Sequence, residues 1–298
     1  MSQNLSAPDG ASLRDIGESG DPAGILARVR TTCLRISLAR QAARGTITAR
    51  PDYIAVSTPE SPTFWFGNFL LLRDRPEPGS LATWESRFDS EIGSRSGHRL
   101  FVVDFPEGDP GALDDFQEAG YSVNCARSMV FKVSEDGSIN LPPQIPGLDI
   151  EELDSAGMEE LALAEMTAFR ANPSAFPDAD ETYLRDQGRF HARLVDMGVA
   201  VATVCRMSGR IVSSAIFVVS GGEALIEDVR TDPLFRHRGL CRTLLARSME
   251  MLHRRGVGLF VLEPVDAYAR SIYSGLGFVD GDRLCSILKR PAPRGVSL

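Results

Sequence analysis

The sequence predicts an α/β protein of the mixed-sheet (α+β) kind, and three observations carry the prediction. Stretches with helical spacing alternate with short apolar stretches along most of the chain. In the second half, Met-Ser-Gly-Arg and Ser-Gly-Gly-Glu join successive apolar stretches, and such short glycine-bearing links fold a strand back antiparallel on its neighbour. Residues 258–262, Gly-Leu-Phe-Val-Leu, are apolar throughout between two helical stretches, the pattern of a strand covered on both faces.

The elements follow in order. From Ala23 to Ala43 a helical pattern carries Ile25, Val29, Leu34, Ile36 and Leu38. Strand-like segments come next at Tyr53–Ser57 and Phe64–Leu72, where the aromatic run Phe64-Trp65-Phe66-Gly67-Asn68-Phe69 reads as core packing. A helix fits Leu81–Ile92, a strand Leu100–Asp104, a helix Gly111–Ala119 and a strand Ala126–Val133. Residues 134–147 hold three prolines and two glycines and read as a linker. The second half restarts with a strand at Leu148–Leu153, helices at Gly157–Phe169 and Asp180–Met197, and strands at Val199–Met207, Ile211–Ser220 and Ala224–Thr231. The helix Leu240–His253 lines up Cys241, Leu245, Met249 and Leu252 on one face. After the apolar strand, Asp266 suits the N-cap of a helix Ala267–Ser274, Gly277 suits its end, and a last strand runs to Leu288. The predicted division is a tail 1–22, a domain 23–134, a linker 135–147, a domain 148–291 and a tail 292–298.

Composition narrows the function. With 43% hydrophobic and 24% charged residues the chain is of the soluble globular class. A formal net charge of −8 argues against a nucleic-acid partner, which needs clustered excess cation. The polar start lacks the apolar core of a signal peptide, and no run reaches the roughly 18 apolar residues of a membrane span. The five cysteines are scattered without a CxxC spacing, so reduced thiols in a cytoplasm are expected. The four histidines form no metal-ligand spacing, so no metal is expected.

The most informative stretch is 229–241, Val-Arg-Thr-Asp-Pro-Leu-Phe-Arg-His-Arg-Gly-Leu-Cys, where an apolar strand runs into a basic turn that opens a helix. The first N–H groups of a helix lack internal partners and sit at the positive end of its dipole, so the arrangement suits phosphate. Arg236, His237 and Arg238 add donors, and Gly239 admits close backbone approach.

Here the chain resembles the GNAT superfamily of acyl-CoA-dependent N-acetyltransferases. That family carries Gln/Arg-x-x-Gly-x-Gly/Ala after its fourth strand, and this sequence has Arg236-His237-Arg238-Gly239-Leu240-Cys241, with Cys241 departing at the last position. The family also carries a helix ending Ala-x-x-Leu-Tyr-x-x-x-Gly-Phe. Ala269, Ile272, Tyr273, Gly277 and Phe278 fit it, while Asp266 stands where Asn usually opens that helix. The resemblance covers roughly residues 148–290. It implies a GNAT fold in the C-terminal half and acetyl-CoA as co-substrate.

The first half holds a faded copy of the same landmarks. Phe116 to Tyr121 has the shape of Tyr273 to Phe278, and Gly79 matches Gly239 at an offset of 160 residues. Ala126–Val133 then corresponds to Leu284–Arg290. The turn of this copy, Arg75-Pro76-Glu77-Pro78-Gly79, loses two N–H donors to proline and puts Glu77 where phosphate would sit, and Phe116 has no hydroxyl. A degenerate GNAT-like N-terminal half without catalysis is the expectation.

The resemblance also assigns roles. The backbone of Val229, Arg230 and Thr231 pairs with the pantetheine arm like an added strand, with a main-chain N–H near Val229 polarising the thioester. The N–H groups of His237, Arg238, Gly239, Leu240, Cys241 and Arg242 hold the pyrophosphate. Acyl transfer needs a neutral amine, although a free lysine-like amine has a pKa of about 10.4, and it needs a proton for the departing thiolate. Tyr273 is the expected acid. Glu227 and Asp228 flank the thioester, and strand alternation sends them to opposite faces; Glu227 is the expected base, with Asp228 and Glu263 as further candidates. His191 reads as a surface helix residue. The expected activity is acetyl transfer from acetyl-CoA to a primary amine of a small molecule or protein, by direct attack in a ternary complex. A non-catalytic acyl-CoA-binding or regulatory module is the second reading.

Overall fold

The computed structural model describes residues 22–62, 64–93, 96–173 and 181–291. Of the stretches read as tails, 1–22 and 292–298, all but Pro22 lie outside the described residues, as does Asp180. The chain forms two compact units, one made of residues to Ser128 with those from Asp282 onward, the other of Met129–Gly281. Among the described residues no helix is long and apolar enough to cross a membrane.

The first unit runs α1 (Pro22–Leu26), α2 (Thr32–Ala42), β1 (Thr46–Ala49), β2 (Tyr53–Ser57), β3 (Phe69–Leu72), α3 (Leu81–Glu91), β4 (Arg99–Val103) and α4 (Asp114–Glu118). It also holds most of β5 (Ser122–Lys132) and the later part of β11 (Val279–Lys289). β1, β2 and β3 pair antiparallel, β4 lies parallel to β3, and β11 returns antiparallel along β4. Period-two alternation splits the core between two faces: Leu71 packs with Leu38, Ile54 and Leu100, whereas Leu70 and Leu72 pack with Trp84, Phe88, Phe101 and Phe116.

Four expectations change here. The single helix from Ala23 to Ala43 is two helices, because the Asp104 carboxylate accepts the N–H groups of Arg30 and Thr31 at 2.9–3.1 Å and Asp282 accepts that of Thr32 at 2.8 Å. These distant carboxylates hold the chain extended before α2, and Asp282 satisfies the first orphan donor of the helix, Thr32 N–H. The strand expected from Phe64 shortens to β3, because Trp65–Gly67 form a 3₁₀ turn. The Asn68 side chain fixes that turn, accepting from Thr58 N and donating to Ser61 O and Phe64 O. Of the aromatic run, Phe69 is in the core and Phe66 is exposed. The cysteines are not all thiols: Cys125 and Cys285 form a disulfide, leaving Cys33, Cys205 and Cys241 free. Division by sequence order also fails at two strands. The last residues of β5 belong to the second unit, and the end of β11 belongs to the first, because each pairs there with a parallel-sheet strand.

The second unit runs β6 (Leu148–Leu153), α5 (Ser155–Ala171), α6 (Glu181–Asp196), β7 (Ala200–Met207), β8 (Arg210–Ser220), β9 (Glu223–Thr231), α7 (Leu240–His253), β10 (Leu259–Leu262) and α8 (Ala267–Leu276). β6 to β9 form an antiparallel meander, β10 lies parallel to β9, and Met129–Lys132 of β5 closes antiparallel on β10. Leu244, Leu245, Met249 and Leu252 of α7 bury against Phe217, Ile226 and Phe260. The proline-rich segment 134–147 has no helix or strand but is not loose, since Ile139, Leu141 and Ile145 pack on this core.

The internal repeat extends to hydrogen bonds. In α4 and its exit, Tyr121 N donates to Phe116 O and Gly120 N to Gln117 O; in α8, Phe278 N donates to Tyr273 O and Gly277 N to Ser274 O. Gly120 and Gly277 are both left-handed, with φ of +86° and +99°, as this helix-ending motif requires.

Candidate active site

The site is built where β9 and β10 part. Their parallel pairing covers Glu223–Ile226 against Leu259–Leu262 and stops. β9 continues to Thr231, so its last five residues pair with β8 on one side and with no strand on the other among the described residues. A free strand edge of this kind accepts an extended ligand through main-chain hydrogen bonds.

β9 also changes register here. Ser214 stands opposite Arg230 and Ile216 opposite Glu227, so the single residue Ala215 faces two, Asp228 and Val229. The extra residue is a β-bulge, and Asp228 takes it up in a left-handed conformation at φ +49°. Such a conformation in a non-glycine residue costs on the order of 1 kcal/mol and persists where surrounding contacts impose it. The bulge overturns the alternation expected for the two acids: Glu227 and Asp228 both turn toward His191, whose Nε2 lies 3.6 Å from Glu227 Oε1 and 3.3 Å from Asp228 Oδ2.

His191 is not a surface residue. It is 6% exposed on α6, in a buried stripe with Leu184 and Leu194. The helical spacing of 184, 191 and 194 carries that signal in the sequence. Glu165 of α5 was also missed; its Oε1 lies 3.4 Å from Arg230 Nε. Burial pushes the Glu165 carboxyl above the usual range, and Arg230 pulls it back. Arg230 also approaches Asp228 Oδ1 at 3.6 Å, so its side chain serves the acid cluster and only its backbone lies along the strand edge. Glu263 is exposed beyond the end of β10.

The strand leads into the basic turn. Ser213 Oγ holds Arg230 O at 2.7 Å and Thr231 Oγ1 at 2.9 Å, fixing the inner side of the edge. Asp232 accepts from Leu234 N and starts a 3₁₀ turn, Pro233–Phe235. Arg236 Nε donates to Thr231 O at 3.3 Å, and Arg238 donates to Leu234 O and lies over the Phe235 ring. His237 and Gly239 are both left-handed, at φ +60° and +76°. Gly239 is the N-cap of α7 and no side chain caps that helix; a Cβ on Gly239 would meet nothing closer than Ile145 Cδ1 at 4.0 Å. The turn thus presents the helix end in open space, with Leu240 buried as its anchor and Arg242 exposed.

α8 stands beside it. Asp266 caps this helix by accepting from Ala269 N at 2.7 Å, so its carboxylate is engaged. Tyr268 at the start of α8 bonds His237 Nδ1 at 3.1 Å. Tyr273 is 8% exposed; burial raises its hydroxyl above the ordinary tyrosine range, with Cys241 and Asp266 adding to the shift. Burial also pushes the Cys241 thiol up to about 11, so the departing motif position carries a small neutral group.

Comparison with known proteins agrees with this geometry. Residues 158–278 match the Acetyltransferase (GNAT) family. The [Ribosomal protein bS18]-alanine N-acetyltransferase of Escherichia coli (strain K12) is 30% identical over 106 residues, which are 35% of this chain and 66% of that protein; the chain therefore spans just under two thirds of the curated relative's length. Among solved structures, a GCN5-related N-acetyltransferase from Kribbella flavida superposes with a TM-score of 0.62 at 16% identity, covering 90% of this chain and 99% of the other. A tandem GNAT protein from the clavulanic acid biosynthesis pathway superposes at 0.54 with 10% identity, covering 91% and 95%. Residues 158–278 thus match the GNAT family by sequence, and the fold over about nine tenths of the chain is similar to that of GNAT proteins, a tandem one among them.

Proposed function

We propose that this chain moves an acetyl group from acetyl-CoA to a primary amine by direct attack in a ternary complex, and that the second unit does the chemistry. The observation that carries the reading is the edge of β9 beyond Ile226, which no strand among the described residues covers on the β10 side and which leads through a short turn into a helix opened by a left-handed glycine. In this reading the main chain of Val229, Arg230 and Thr231 holds the pantetheine arm. The N–H groups from His237 to Arg242 hold the pyrophosphate with help from Arg236 and Arg238. Acetyl-CoA, when bound, supplies the thioester carbonyl that the amine attacks, and an N–H near Val229 polarises it. Tyr273 stays protonated at working pH and gives its proton to the sulfur. Glu227 receives the proton of the amine. Asp266 contributes by holding the start of α8, which sets the position of Tyr273.

The acid cluster of Glu165, Glu227 and Asp228 favours an acceptor that arrives as a cation, as a primary amine does. The relative that acts on an alanine of a ribosomal protein makes a peptide N-terminus one candidate, beside a small-molecule amine. The test is titration of acetyl-CoA into the full chain by calorimetry, followed by transfer assays over peptide and small-amine panels. Micromolar-range binding with transfer to an amine is expected. Absence of acetyl-CoA binding overturns the reading; binding without transfer to any amine makes the chain an acyl-CoA-binding module.

A further inference from the structure

The bulge in β9 gathers an array that the simplest scheme of one acid and one base does not use. His191 Nε2 faces two carboxylates from one strand, and both lie at the point where β9 leaves β10. Among the described residues, Glu165 from α5 and Arg230 from β9 also bring charge to this cluster. Opposite charges within 4 Å stabilise the ionised form of a group, so Glu227 and Asp228 stabilise an imidazolium at this place. A carboxylate of ordinary pKa, about 4.3, is a poor keeper of a proton at neutral pH, whereas imidazole, at about 6.5, is poised to take one.

We propose that His191 is the proton-holding residue of the acceptor side: its Nε2 takes from Glu227 the proton that the amine gives up, and Asp228, which faces the same nitrogen, stabilises the imidazolium that forms. The inference rests on the acetyl-transfer reading above. The proton leaves the amine nitrogen for Glu227 and passes to His191 Nε2. The freed lone pair forms the N–C bond as the C–S bond breaks, the sulfur takes the Tyr273 proton, and the second proton that nitrogen sheds as the amide forms restores the Tyr273 hydroxyl. The 3.6 Å between Glu227 and Nε2 is longer than a hydrogen bond, and distances of this kind tighten when substrate enters. His191 therefore acts through Glu227 as a positioning and proton-holding group, and the left-handed Asp228 is the device that brings both carboxylates to it.

The experiment compares the full chain with His191→Gln and Asp228→Asn. Acetyl-CoA affinity, kcat and kcat/KM are measured from acidic to alkaline pH, with folding checked by thermal unfolding. Wild type should show an acidic limb in kcat/KM. His191→Gln should lose that limb and about a hundredfold of kcat at neutral pH, with acetyl-CoA affinity within about twofold. Asp228→Asn should move the limb to lower pH. In wild type, NMR titration of the imidazole should follow the same limb, and in Asp228→Asn it should shift with it; this readout holds even if His191→Gln fails to fold. An active enzyme whose His191→Gln variant keeps both limb and rate, or whose His191 resonance does not follow the limb, overturns the role of His191 and leaves acetyl transfer standing. Failure of wild type to transfer to any amine removes both.

Discussion

The turns that open α3 and α7 begin from the same backbone. Gly79 and Gly239 are left-handed at φ +73° and +76°, and each follows the first strand of a parallel pair. What lies over the two helix ends differs. In the first unit, Asp115 accepts from Leu81 N at 3.1 Å, Pro76 O accepts from Ala112 N, and Arg75 pairs with Asp109 and lies over Phe105. A Cβ on Gly111 would come within 2.6 Å of Pro76 O, so the covering loop is in close contact with the turn. In the second unit no side chain caps α7. The covering loop is residues 104–113 in the first unit, whereas residues 263–266 make the corresponding link in the second. On the acetyl-CoA reading proposed above, the difference teaches that a left-handed glycine before a helix makes a ligand site only if the chain does not bring its own anion and cover. The first unit supplies the cover through a longer connection and the anion through Asp115 of α4.

The strongest attack on this comparison is a matched pair of substitutions. Gly239→Val forces a β-branched residue into a left-handed conformation, and acetyl-CoA affinity should fall by at least about tenfold as the turn rearranges. Gly79→Val should cost a similar 1–2 kcal/mol or so in thermal unfolding while leaving acetyl-CoA affinity unchanged. Equal losses of affinity in calorimetry would break the assignment of the site to one unit. Next in size, Tyr273→Phe should lower kcat by about a hundredfold with binding intact, whereas Phe116→Tyr, which restores a hydroxyl in the first unit, should leave the rate alone. Cys125→Ser or a reductant should then cost about 2–4 kcal/mol in thermal unfolding through release of the disulfide.

Asp115→Ala sharpens the comparison. It should cost about 0.5–2 kcal/mol as a lost helix-end partner, and calorimetry should still find one acetyl-CoA per chain. A second binding event would mean that one carboxylate alone closed the first unit. The smallest effect lies at high pH. The hydroxyl of Tyr273 is held above its ordinary value when folded, so the stability it contributes is full below the unfolded value of about 10 and is lost as pH rises toward the folded one. Tyr273→Phe should flatten the alkaline fall in stability measured by denaturant unfolding.

What the sequence made legible was local chemistry: the Asp266 cap, the Gly277 end of α8, the Gly239 turn and the repeat of these signals in the first half all depend on residues within one helical turn of each other. What stayed hidden depends on distance or on broken periodicity. The start of α2 is set by carboxylates 73 and 250 residues away. The bulge at Asp228 violates the alternation on which strand reading rests, so the convergence of Glu227 and Asp228 on His191 could not be inferred from spacing. His191 itself sat in a visible apolar stripe; its polarity, and not its position, made it look exposed.

The crossing of β5 and β11 between units bears on how the protein is made. The strand that lies along β4 in the first unit, Cys285–Lys289, is made only after the whole of the second unit, so the N-terminal unit waits, incomplete, through the synthesis of the other. The edge of β10, by contrast, meets a segment already made, Met129–Lys132, as soon as it emerges. The later-coded unit is therefore the first able to close, and a nascent chain stalled before Cys285 would carry a closed second unit while its N-terminal sheet was still open.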